Sequence, residues 1–147
     1  MSRDGGINWK VAKRGNWIYE IGDHGALIVI ARRNDPTNDI LFSLDEGLTF
    51  NRFKISEVPI IVENIIIEPK SASQHFLVFG SHMKKSGVET KAFFSFVDFS
   101  SMNLNQCQGI EEPGMPESDF EYWTPNDGRH GASKCFLGQK VTYVRRK

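Results

Sequence analysis

Two segments of the chain repeat one pattern of serine, aspartate, glycine and aromatic residue, and their aspartates are the first candidates for chemistry. The segments are SRDGGINW and SLDEGLTF. An aspartate beside a hydroxyl could act in proton transfer, but a short carboxylate also suits hydrogen bonding to the backbone of a tight turn. The shared residues are Ser2, Asp4, Gly6 and Trp9 in the first box segment and Ser43, Asp45, Gly47 and Phe50 in the second.

The pattern S-x-D-x-G-x-x-[WF] is the Asp box (BNR) repeat, and it predicts a hairpin held together by its own side chains. Asp45 is expected to accept hydrogen bonds from backbone N–H groups of the turn, and the Ser43 hydroxyl to bond across it. Gly47 is expected to adopt a positive φ. Phe50 is predicted to start the return strand and to pack towards the next repeat. We therefore interpret Asp4 and Asp45 as structural rather than catalytic.

The two box segments begin at positions 2 and 43, a period of 41 residues that is typical of a four-stranded propeller blade. Apolar runs and alternation around them predict strands. The first box is expected to lead into a return strand at 8–13. One complete blade is predicted from strands at 16–21, 26–32, 39–44 and 50–55, and three strands of a second from 63–68, 75–80 and 91–99. The sequence thus predicts an all-β partial propeller.

The composition changes at residue 100. Residues 102–118 carry no strand pattern and contain Pro113, Gly114 and Pro116, which is typical of a loop-rich region. Both cysteines, Cys107 and Cys135, lie in this last part. We expect two parts, propeller blades at 1–99 and a cysteine-bearing segment at 100–147.

Charge and hydropathy exclude several classes of function. Eighteen basic residues balance eighteen acidic ones in the 147-residue chain, so no global field attracts nucleic acid or an anionic membrane. No apolar run is as long as a membrane span, and the first residues lack the apolar core of a signal peptide. Because Ser2 already belongs to a box, we expect the chain to be a fragment whose targeting signal lies upstream.

A glycosidase is the enzyme alternative, since Asp boxes also occur in sialidases. Such a site needs a carboxylate pair or a Tyr–Glu pair, and sialidases add an arginine cluster for the substrate carboxylate. Arg32 and Arg33 are adjacent, as are Tyr19 and Glu20, so each pair points to opposite faces of a strand. We therefore expect no enzyme and no cofactor; a free-standing protein-interaction module is the other alternative.

A metal site is not expected either. The histidines, at positions 24, 75, 82 and 130, show no ligand spacing, and His24 is interpreted as a turn residue. The 27 residues between Cys107 and Cys135 do not form a zinc-ligand spacing. The basic end at 145–147 is interpreted as an exposed strand edge.

Three stretches resemble the lumenal region of the sortilin family, the vacuolar protein sorting receptors, and are most similar to its fungal members. They are IGDHGALIVIA with the box FSLDEGLTF, then HFLVFG with FSFVDF, and finally a cysteine followed by DFEYWTP and CFLGQKVTYVRRK. The resemblance covers essentially the whole chain. It implies the last two blades of a ten-bladed propeller, followed by the start of a cysteine-rich disulfide module.

The resemblance implies a receptor that binds soluble cargo, such as vacuolar hydrolase precursors, in the Golgi lumen and delivers it to the endosome and vacuole. Membrane attachment would come from segments missing here. The family's peptide site lies on earlier blades, so no binding residue is transferred. The resemblance also implies that Cys107 and Cys135 pair with cysteines outside this chain; within it they would be free or joined in a non-native bridge.

Overall fold

The computed structural model describes residues 1–2, 6–82, 91–105, 107–124 and 138–147. These residues form an all-β protein of antiparallel sheets, as the sequence predicts. Two compact units are distinguished, one comprising Lys13–Asn105 and the other Met1–Ala12 with Gln106–Lys147. The strands in the described residues are β1 (Trp17–Gly22), β2 (Leu27–Arg32), β3 (Asp39–Ser43), β4 (Asn51–Lys54), β5 (Ile60–Ile66), β6 (His75–His82), β7 (Ala92–Asp98), β8 (Phe120–Trp123) and β9 (Tyr143–Arg146).

The first sheet has the order β1-β2-β3-β4, which confirms the four strands predicted for one blade. Strand β2 is one of the two inner strands of this sheet, and its apolar run, LIVIA, is buried on both faces. The strand predicted at 8–13 is wrong. Met1 and Lys10 exchange two backbone hydrogen bonds of 2.7 and 2.8 Å, but residues 8–13 do not form a strand, and Trp9 and Val11 are exposed.

The second sheet has the order β5-β6-β7, and these are the three strands predicted. Strand β5 begins at Ile60, three residues earlier than predicted, because residues 60–62 pair with the end of β6; a register shift follows between Val62 and Asn64. Ile66 of β5 is 44% exposed, whereas its neighbour Ile65 is buried. Successive side chains of a strand face opposite sides, so these two neighbours cannot both reach the core.

One core lies between the two sheets of the Lys13–Asn105 unit. Isolated bridges join Arg33 to Val62 and Thr37 to Ile60, so the connection between β2 and β3 pairs with the start of β5. Phe99 lies at the centre of an aromatic cluster, with ring centroids 5.1 to 5.8 Å from those of Phe42, Phe53 and Phe76. The other fully buried side chains of this core include Leu27, Val29, Ile40, Ile60, Val62, Ile65, Val78 and Val97.

In the other unit, β8 and β9 form an antiparallel pair. Phe120, the first residue of β8, is buried, and the Ser118 hydroxyl donates to the carbonyl of Gly109 at 2.7 Å. No strand occurs in the described part of 102–118, in keeping with the loop prediction. The boundary between residues 99 and 100 remains a prediction.

Candidate functional site

The second box segment forms a turn between β3 and β4 that is closed by side chains. Ser43 is buried, and its hydroxyl donates to Asp45 Oδ1 at 2.7 Å while accepting from the Gly47 N–H at 2.8 Å. The Asp45 carboxylate accepts from the backbone N–H of Thr49 at 2.9 and 3.0 Å and from its hydroxyl at 2.5 Å. Serine and aspartate thus satisfy donors at both ends of the turn.

These donors fix the charge of Asp45. Hydrogen bonds from the side chain and backbone of Thr49, and then from the Ser43 hydroxyl, lower the pKa of Asp45 from 3.8 to about 2. A general acid at neutral pH needs a raised pKa instead. The carboxylate is therefore an ionised acceptor engaged by its own turn, which suits a structural role.

Gly47 has the positive φ that the sequence predicts, 80°, and Glu46 before it has a φ of 56°. Two successive positive φ values reverse the chain within the turn. The return strand begins at Asn51, one residue later than predicted. Phe50 is half-buried, and its ring centroid lies 5.4 Å from the Lys13 ammonium; its packing towards another repeat remains a prediction.

The first box segment shows the same serine-to-glycine contact. The Gly6 N–H donates to the Ser2 hydroxyl at 2.8 Å, and Gly6 has a φ of 91°. The Trp9 indole N–H donates to the Gly6 carbonyl at 2.9 Å, although the ring is 72% exposed. Asp4 lies outside the described residues, so its structural role remains a prediction.

The residues considered for a glycosidase site do not converge among those that the structure describes. Tyr19 and Glu20 pair with successive residues of β2 and so face opposite sides of β1. Arg32 engages Asp35 at 3.3 Å and lies over the Trp17 ring, while Arg33 is in the bridge to Val62. This arrangement provides no arginine cluster for an anionic substrate.

The described histidines have structural contacts. His24 lies in the turn at 22–25 with a φ of 52°, which confirms its interpretation as a turn residue. His75 Nε2 lies 3.2 Å from Asp98 Oδ1 across β6 and β7. Hydrogen bonds from the Ser100 side chain and backbone lower the pKa of Asp98, and the nearby His75 adds to this effect. No cluster of three or more potential metal ligands occurs within the described ranges.

Cys107 is half-buried, with its Sγ 4.0 Å from Arg146 Nη1. Cys135 and His130 lie outside the described residues. The disulfide partners of both cysteines therefore remain a prediction. Arg145, interpreted from the sequence as part of an exposed strand edge, is exposed and lies in β9, where it pairs with Glu121 of β8 and contacts the Glu121 carboxylate at 2.6 Å.

Sequence reasoning missed Glu68, at the end of the β5 region. Its two carboxylate oxygens accept hydrogen bonds from four successive backbone N–H groups, those of residues 70 to 73. Partial burial raises the pKa of Glu68, but these donors outweigh it, so the pKa lies below its ordinary value. A signal was present, since Glu-Pro-Lys-Ser-Ala-Ser joins an acceptor to a polar turn after a strand.

One face of the second sheet is open and apolar. Phe94 and Phe96 of β7 are each 68% exposed, and they lie opposite Phe79 and Leu77 of β6. Ile66 of β5 extends the same face, because it pairs with Leu77. We call Ile66, Leu77, Phe94 and Phe96 the open face. Contiguous exposed apolar surface of this kind marks an interaction site or an aggregation liability.

The two stacked antiparallel sheets define the class of the protein, a partial β-propeller. Comparisons with known proteins agree with this class. A family model described as "Sortilin, neurotensin receptor 3" matches residues 1–65, and one described as "Sortilin, neurotensin receptor 3, C-terminal" matches residues 67–147. The chain belongs to the sortilin family.

Similar curated proteins are fungal and bear the name "Vacuolar protein sorting/targeting protein 10". The one from Debaryomyces hansenii is 35% identical over 149 residues, which cover 99% of this chain and 9% of that protein. The one from Laccaria bicolor is 33% identical over 146 residues, 99% of this chain and 10% of that protein. The chain thus spans about a tenth of the length of these relatives. Among the described residues, no helix is long and apolar enough to cross a membrane.

Proposed function

We propose that this chain is part of a lumenal sorting receptor that carries soluble cargo from the Golgi to the endosome and vacuole. The observation that carries the proposal is the match over 99% of the chain to proteins named for vacuolar protein sorting and targeting. The proposed cargo is the class of soluble vacuolar hydrolase precursors. In the receptor, other parts of the polypeptide would attach it to the membrane.

Within that receptor, we assign residues 1–99 to the propeller and 100–147 to the start of the cysteine-rich module. The box segments would act as hairpin clamps, with Asp4 in the role that Asp45 has by its contacts. The serine-to-glycine hydrogen bond present in both segments supports this assignment. Cys107 and Cys135 would pair with cysteines elsewhere in the receptor, in the oxidising lumen.

The open face supports a scaffold role. A propeller blade buries both faces of its sheet against neighbours, and here the two phenylalanines of β7 lie exposed. In the complete receptor, another blade would cover them. This chain would then hold the shape of the propeller, while cargo contacts would lie on other blades.

A catalytic role is disfavoured by the titratable groups. Among the described residues, the three carboxyl groups with perturbed pKa values, Asp45, Glu68 and Asp98, all have lowered ones. A glycosidase acid needs a raised pKa. The contacts of these three groups are to turns and to a cross-strand histidine, which supports structural roles.

Capture of vacuolar precursor proteins tests the proposal, with sialoside hydrolysis measured alongside. A full-length relative should capture the precursors, whereas the 147-residue chain alone should neither capture them nor hydrolyse the sialoside. Hydrolysis that purifies with the chain would overturn the receptor assignment. Saturable precursor binding by the chain alone would overturn only the scaffold role.

A further inference from the structure

We propose that Glu68 shapes the loop at 69–73 into a latch that holds the turn at 22–25, and with it the first sheet, against the second sheet. We call this loop, with Glu68, the blade latch. Glu68 would be a positioning residue: it does not touch the first sheet, but it fixes the atoms that do.

The Glu68 carboxylate holds the loop through hydrogen bonds from four of its backbone N–H groups. Glu68 Oε2 accepts from the N–H groups of Lys70 and Ser71 at 2.6 and 2.8 Å. Glu68 Oε1 accepts from Ala72 and, at 2.7 Å, from Ser73. Hydrogen bonds to an ionised acceptor are stronger than neutral ones. The loop is thereby held with Ser71 at a φ of 52°, an angle that a residue with a Cβ seldom adopts.

The same loop presents its carbonyl oxygens to the first sheet. The Ser73 carbonyl accepts from the Asp23 N–H at 3.0 Å, and the Ser71 carbonyl accepts from the His24 N–H at 2.9 Å. Asp23 is buried, and its Oδ2 accepts from the Gln74 side-chain amide at 3.3 Å. Two residues whose N–H groups bind Glu68 therefore offer their carbonyls to a different blade.

The end of β1 packs tightly against the second sheet and the blade latch at Gly22. A Cβ added at Gly22 would lie 2.6 Å from Phe76 Cζ, 2.7 Å from Ile67 Cδ1 and 2.7 Å from the Ser73 carbonyl oxygen. The end of β1 can approach the second sheet this closely only as glycine. A shift of the latch carbonyls by about 1 Å would break the hydrogen bonds of Asp23 and His24, which are 3.0 and 2.9 Å long.

Glutamine at position 68 is the sharpest test, since it keeps the size of the side chain but replaces one acceptor oxygen with a donor. Two of the four N–H groups would face an amide nitrogen. Amide hydrogen exchange of the 147-residue chain is the measurement, because it reports each hydrogen bond separately. In Glu68→Gln, the amides of Asp23 and His24 should exchange faster by about tenfold or more, the factor expected when a charged acceptor is lost.

The matched control is Glu63→Gln, an exposed carboxylate on β5, which should leave those two amides unchanged. The amides of Ile30 and Leu41, paired within the first sheet, should be unaffected in both variants. Unchanged exchange at Asp23 and His24 in Glu68→Gln would overturn the latch. A uniform increase across all amides would also overturn it, because Glu68 would then act on global stability alone.

Two further variants decide the matter if Glu68→Gln does not fold. Glu68→Asp retains the charge but is one methylene shorter. It should therefore speed amide exchange at the same two residues, Asp23 and His24, by a smaller factor than Glu68→Gln. Gly22→Ala disturbs the contact from the opposite side and should speed exchange at Asp23 and His24 while Glu68 is intact. Wild-type exchange at both residues in both variants would refute the proposal.

Discussion

Replacing Gly47 with valine tests the box turn most severely. Gly47 has a φ of 80°, and its N–H donates to the buried Ser43 hydroxyl at 2.8 Å. A β-branched residue resists this angle. The variant must either retain the strained positive φ at position 47 or rotate its backbone out of this region, and that rotation breaks the hydrogen bond to Ser43. Both routes destabilise the hairpin between β3 and β4.

The expected cost follows from the backbone angle. Holding a non-glycine residue in such a region costs about 1–3 kcal/mol, out of a typical domain stability of about 5–15 kcal/mol. For a unit the size of Lys13–Asn105, each kcal/mol lowers the melting temperature by about 4–8 °C. Asparagine tolerates positive φ better than alanine or valine. The loss in the free energy of unfolding should therefore increase in the order Gly47→Asn, Gly47→Ala, Gly47→Val.

Urea unfolding followed by circular dichroism measures this series. The matched control is Leu48→Val, which introduces the same β-branched side chain at an exposed neighbour in the same turn. The control should lie close to wild type. If Gly47→Val unfolds at the same urea concentration as Leu48→Val, the strain argument is wrong. Equal losses of stability in Gly47→Asn and Gly47→Val would show that the positive φ at position 47 is not the cause.

The folded-state pKa of Asp45 is lowered to about 2 from 3.8, so its contribution to stability should be complete above pH 3.8 and lost as the pH falls through about 2. In a series of melting temperatures against pH, Asp45→Asn should flatten this acidic part of the curve. A curve that is unchanged in the variant would refute the structural role of the Asp45 carboxylate. The chain should self-associate through its open face, and Phe94→Ser with Phe96→Ser should reduce light scattering and dye binding; a wild-type monomer with a sharp, reversible thermal transition would contradict this. Cys107 should be alkylated without prior reduction, as measured by peptide mass; full protection would mean that it is already paired in this chain.

Local sequence patterns were sufficient where the structure depends on local geometry. The buried run of β2, the alternation of β6 and β7 and the positive φ of Gly47 all follow from residues close together in the chain. The contacts of Ser43 and Asp45 could also be predicted, because serine and aspartate bond to backbone within a few residues.

Tertiary contacts explain what the sequence did not predict. Strand β5 starts earlier than predicted because Ile60 and Val62 pair with β6 and also bridge to Thr37 and Arg33. Residues 8–13 form no strand, although Met1 and Lys10 exchange two backbone hydrogen bonds. The role of Glu68 depends on two carbonyls that meet a turn more than forty residues earlier in the chain, and no local pattern encodes that meeting.

Delivery of a vacuolar precursor by a chimeric receptor tests the central claim most directly. The relative from Kluyveromyces lactis is 33% identical over 150 residues, which cover 100% of this chain, so its matched segment can be replaced by these 147 residues. In cells lacking their own receptor, the measurement is the fraction of a vacuolar hydrolase precursor that is secreted. The chimera should restore delivery, whereas the same chimera with Gly47→Val should not. If cells with a folded and stably expressed chimera secrete the precursor as fully as receptor-deficient cells do, the proposed sorting role is wrong.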